Sequence, residues 1–166
     1  KSTPFPYTTL FRSELKDLDE LLQQASLPRL NIHGDYGLHN LVFPKNSSIT
    51  MLDFETARLE WRLSDLVSAL SRLRFRDGSY DFEIIRSFMD AYHNEFPISL
   101  KEWQWLPKVW QFYKLRSALI YWNSYLDTAG PPRRLISAQD AVWQANWANQ
   151  NPEKLISLIP AYREAS

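Results

Sequence analysis

HGDYGLHNLVF (His33–Phe43), followed after a short turn by MLDFE (Met51–Glu55), is the stretch on which the reading of this chain depends. Two apolar runs, Leu41–Phe43 and Ile49–Leu52, flank the turn sequence Pro44-Lys45-Asn46-Ser47-Ser48, the pattern of a hairpin. Asn40 and Asp53 then fall at the same open end of adjacent strands, where side chains can lie about 5 Å apart. An amide oxygen and a carboxylate at that separation can share one Mg²⁺ at about 2.1 Å each, leaving other positions for phosphate oxygens and water. Asp35, on the loop just before, faces the same space. A carboxylate there can orient a hydroxyl and accept its proton while a metal neutralises charge on a transferred phosphoryl group.

Outward from this segment the chain is helical. Leu15, Leu18, Leu21 and Leu22 recur at helical spacing behind Ser13 as a cap, and Leu27-Pro28 ends that helix. Arg29–His33 reads as a short strand. From about Ser64 the pattern is helix throughout, with stripes at Leu66, Val67, Leu70, Leu73 and at Phe82, Ile85, Phe88, Met89, Tyr92, Phe96. A longer helix covers about Pro107–Leu126, Gly130-Pro131-Pro132 breaks the chain, a further helix carries Trp143 and Trp147, and Pro152 starts a last one. The expected class is α+β, mostly α: a small hairpin element leading into a helical bundle.

The motif resembles the aminoglycoside phosphotransferase and choline kinase type of small-molecule kinase. That family's pattern is His-Gly-Asp, four residues, Asn, then a hairpin and Asp-Phe or Asp-Trp, and every position is filled at matching spacing. Five residue types at fixed offsets arise by chance in roughly one unrelated chain in ten thousand. The resemblance implies a protein-kinase-like C-terminal lobe, Asp35 as catalytic base, Asn40 and Asp53 as Mg²⁺ ligands, ATP as phosphoryl donor and a small-molecule acceptor such as an aminoglycoside, choline or homoserine. His33, Gly34 and Asp65 would support the catalytic loop, Asp65 by bracing it from beneath; the alternative for Asp65 is a plain cap of the next helix. Gly34 stands where protein kinases have an Arg that receives an activation-loop phosphate, and eleven residues between Asp53 and Asp65 leave no room for a peptide-presenting segment.

Composition narrows the classes. Nineteen Lys and Arg balance nineteen Asp and Glu, so nothing draws the chain to nucleic acid or an anionic membrane. Absence of cysteine excludes thiolate metal sites and disulfides and fits the cytoplasm. No apolar run approaches the roughly 20 residues that span a bilayer. His33 reads as a packing and hydrogen-bonding residue. Glu55 and Trp61 are candidates for an acceptor pocket, and Trp103, Trp105, Trp110, Tyr113 and Trp122 for either a flat-faced substrate wall or core. Residues 6–13 resemble a translated sequencing adapter, which makes 1–13 an expected non-native arm and 14–166 the lobe itself. About twenty native residues before His33, once 1–13 is set aside, are too few for the family's nucleotide-binding N-terminal lobe, so an incomplete half is expected, with that missing lobe as its partner. The rival reading is a pseudokinase-like module that binds without catalysis.

Overall fold

A computed structural model describes residues 6–45, 48–75, 77–127 and 131–160, side chains from residue 11 onward. Among the described residues the fold is mostly helical with two small antiparallel two-stranded sheets. The chain divides into two compact units, 1–27 with 105–155, and 28–104 with 156–166.

Among the described residues the first unit is built from α1 (Pro6–Gln24), α5 (Leu106–Asp127), α6 (Arg133–Gln150) and nearly all of α7 (Pro152–Ile156). α1 runs unbroken through position 13, so Ser13 is inside the helix and does not cap it. Of the leucine stripe, Leu18 and Leu22 are buried, whereas Leu15 is only partly covered and Leu21 is exposed at the edge of the buried face. Gln111 Nε2 donates to Glu14 Oε1 at 2.7 Å, joining α1 to α5. On α6, Ala138, Ala141, Ala145 and Ala148 are all buried, a stripe of small side chains at helical spacing that permits close helix approach. Trp110 meets Trp147 with ring centroids 6.2 Å apart, and Lys108 Nζ reaches Asn149 Oδ1 at 3.0 Å. Of the aromatic residues named above, Trp110 and Tyr113 are core here.

The second unit carries the motif. β1 (Arg29–Ile32) pairs antiparallel with β4 (Arg58–Trp61), in the register Arg29 to Trp61 and Ile32 to Arg58. β4 went unrecognised in the sequence: four residues with two charges, immediately before a helix, carry too short an alternation. β2 (Leu41–Val42) pairs with β3 (Thr50–Met51), the expected hairpin, one or two residues shorter than its apolar runs. α2 (Leu63–Leu70) is buried nearly all round: Leu63, Leu66, Val67 and Leu70 have no solvent exposure, each side chain contributing about 1.5–3 kcal/mol relative to exposure. α3 (Phe82–Glu95) is capped by Asp81, whose Oδ1 accepts the Ile84 N–H at 3.1 Å, and buries Ile85 and Met89. α4 (Leu100–Trp103) places Trp103 in the core and Glu102 against Arg62. Arg62 Nε and Nη2 donate to the two Glu102 oxygens at 2.6 and 2.5 Å, a bidentate pair tying the start of α2 to α4.

Candidate active site

Between β1 and β2 the backbone turns sharply, and the residues of the motif account for each bend. Gly34 has φ +85, and a Cβ there would collide with the Thr56 carbonyl oxygen and the Arg58 guanidinium, so only glycine fits. Asp65 holds the turn from the third position of α2. Its carboxylate accepts the His33 N–H at 2.7 Å and the Gly34 N–H at 2.8 Å. The N-cap position of α2 is Arg62, with no side-chain cap, so Asp65 acts as the brace and not as the cap.

His33 is buried and uses both ring nitrogens. Nε2 lies 2.7 Å from the Leu52 carbonyl oxygen, and the Asp35 N–H points to Nδ1 at 3.3 Å. A carbonyl can only accept and an amide N–H can only donate, which fixes a neutral ring with its proton on Nε2. Phe54 covers the imidazole at 4.7 Å between centroids, and Thr56 Oγ1 donates to the His33 carbonyl at 2.9 Å. His33 is therefore a packing and hydrogen-bonding residue.

Asp35 is half-buried and its carboxylate is gripped on both oxygens. Oδ2 receives His39 Nε2 at 3.0 Å and Asn40 Nδ2 at 3.3 Å; Oδ1 pairs with Arg72 Nη2. Burial alone would raise its pKa, but the His39 hydrogen bond, the Arg72 charge and the Asn40 amide outweigh it and hold the carboxyl below its ordinary value. Asp35 is thus an ionised acceptor at neutral pH. Asn40 Nδ2 also donates to the Asp35 carbonyl at 2.9 Å, which orients the buried amide.

The Leu52 N–H donates to the Asn40 carbonyl at 2.8 Å, extending the hairpin ladder by one rung, so Asp53 is the first residue beyond it. Asp53 leaves the strand in a left-handed conformation, φ 63 and ψ 63, uncommon outside glycine and adopted among other residues chiefly by asparagine and aspartate. The backbone then enters a 3-10 turn, Phe54–Thr56. Asp53 is exposed. An amide oxygen and an exposed carboxylate at one hairpin end are hard oxygen donors suited to Mg²⁺. Among the described residues no group of three His, Cys, Asp or Glu forms a metal cluster.

Of the two pocket candidates, Glu55 is exposed on the 3-10 turn. Trp61 is 2 % exposed with the Arg29 guanidinium over its ring, so it packs in the core of this unit instead of walling a pocket. Sequence reasoning missed Arg72, which follows α2 and pairs with Asp35; nothing in its local pattern separates it from any polar residue closing a helix.

Comparison with known proteins finds relatives of this chain. A model of the phosphotransferase enzyme family matches residues 7–114, a span that includes the whole motif and the stretch 7–13. Homoserine kinase of Pseudomonas aeruginosa strain LESB58 is 31% identical over 119 residues, covering 70% of this chain and 35% of the relative. Homoserine kinases of two further strains of that species match to the same extent. The chain spans about a third of the length of these curated relatives. No described helix is long and apolar enough to cross a membrane.

Proposed function

The chain belongs to the phosphotransferase enzyme family, and from that premise we propose that the protein moves the γ-phosphoryl group of ATP to a hydroxyl of a small molecule. The observation that carries the reading is the state of Asp35: ionised, partly open to solvent, and fixed by His39, Asn40 and Arg72. Such a carboxylate orients an acceptor hydroxyl and takes up its proton as the new O–P bond forms and the bond to ADP breaks. Asn40 Oδ1 and the Asp53 carboxylate would hold Mg²⁺, which when bound neutralises phosphate charge. His33 and Asp65 position these groups without touching the reacting atoms. The name of the curated relatives points to an amino-acid alcohol as acceptor, and a cytoplasmic ATP-dependent enzyme fits the same reading.

The test is steady-state transfer from ATP by the full-length protein that carries this segment, at several Mg²⁺ concentrations. Asp35→Asn should remove most turnover while leaving ATP affinity largely intact. Asp53→Asn should lower turnover and apparent metal affinity together, with part of the loss recovered by added Mg²⁺. Full activity of Asp35→Asn would refute the assignment.

A further inference from the structure

Arg72 is held more firmly than an ion pair with Asp35 requires. Besides Nη2 on Asp35 Oδ1, its Nη1 donates to the Ser68 carbonyl, to Ser68 Oγ at 2.7 Å and to the Tyr36 carbonyl at 3.4 Å. Ser68 is fully buried on α2, so the guanidinium is anchored to a helix that is itself buried on nearly every side. It nevertheless remains 36% exposed, matching the 35% of Asp35 beside it. The open part of the carboxylate, where a hydroxyl must arrive, is therefore bordered by a permanent cation. His39 Nε2 stands on the other oxygen at 3.0 Å.

This is the reverse of what a pocket for a polycationic acceptor needs. A cationic substituent on the acceptor would meet a fixed like charge within a few ångströms, whereas a planar carboxylate is the partner guanidinium geometry favours. We propose that Arg72 selects the acceptor class: a small alcohol bearing a carboxylate, which the guanidinium receives while Asp35 takes the hydroxyl. The inference rests on the phosphotransferase reading and names its substrate class. Arg72 is then both a positioning residue for Asp35 and the acceptor's charge-recognition group, and the two roles separate experimentally.

The experiment compares acceptors that differ only in that charge, L-homoserine against L-homoserinamide and glycerate against glyceramide, with choline as a cation. The full-length protein is assayed with ATP and Mg²⁺. Wild type should favour each carboxylate over its amide by at least about tenfold in kcat/KM. Arg72→Gln should lower kcat for every acceptor through Asp35, and should also collapse the carboxylate-to-amide ratio to about twofold or less by raising KM for carboxylates alone. Arg72→Lys, which keeps the charge and substitutes if the glutamine variant misfolds, should retain an intermediate ratio. A wild-type ratio near one, a preference for choline, or a ratio unchanged in Arg72→Gln overturns the proposal. Phosphorylation of none of these compounds, or unimpaired Asp35→Asn, refutes the phosphotransferase reading instead. In that event calorimetric binding of glycerate to wild type and Arg72→Gln decides the Arg72 proposal, and equal or absent binding defeats it.

Discussion

Replacing Asp65 by Asn isolates the brace on which the catalytic loop hangs. Both Asp65 oxygens accept backbone N–H groups, from Gly34 at 2.8 Å and His33 at 2.7 Å. Asn keeps one acceptor oxygen and presents an NH₂ to the second N–H, so one charge-assisted bond is lost, the survivor is no longer charge-assisted, and a partly buried donor is left facing a donor. A hydrogen bond to a charged group contributes about 1.5–3 kcal/mol, and an orphaned donor adds its desolvation, so a local loss of about 2–3 kcal/mol is expected. At about 1.4 kcal/mol per factor of ten, amide exchange at His33 and Gly34 should quicken roughly 30- to 150-fold. The assay is native-state hydrogen exchange followed by NMR, alongside circular dichroism to show that helix content is kept. Turnover of the full-length protein should fall with little change in acceptor KM, because Asp35 drifts while substrate contacts remain. Exchange within threefold of wild type at both amides would refute the brace.

Two other substitutions probe neighbouring constraints. Gly34→Ala forces a side chain into a left-handed backbone and against Thr56 and Arg58, and should cost about 2 kcal/mol or more, read as a lowered urea midpoint by fluorescence of the buried Trp61 and Trp103. Glu102→Gln leaves the 18% exposed Arg62 without its charge partner and should destabilise by about 2–3 kcal/mol in the same assay, while the double change to Met at both positions should lie closer to wild type.

The hairpin and its flanking carboxylates were legible in the sequence because turn residues, apolar runs and motif spacing all constrain one short segment. The long helices were legible from their stripes, and α5 came within a residue or so at each end. β4 was not, since Arg58-Leu-Glu-Trp61 acquires its meaning from pairing with β1, a contact across 32 residues between Arg29 and Trp61. Trp61 misled for the same reason: an aromatic beside a motif looks like a pocket wall until the strand pairing turns it inward. The start of α1 was misplaced because Ser13 is a fine cap by type, while residues on its N-terminal side also adopt helix. The Asp53 conformation and the Arg72 pair are tertiary outcomes. Neither leaves a periodicity to detect.

The imidazole of His33 has a consequence for how the two sides of the centre keep their spacing. The loop of Asp35 hangs on one ring nitrogen, and the strand that leads into Asp53 hangs on the other through the Leu52 carbonyl. A flat covalent ring does not stretch, so the spacing between the Asp35 N–H and the Leu52 carbonyl is gauged by a chemical template of constant width. A displacement of the Leu52 strand end then carries the Asp35 loop with it for as long as both ring hydrogen bonds hold.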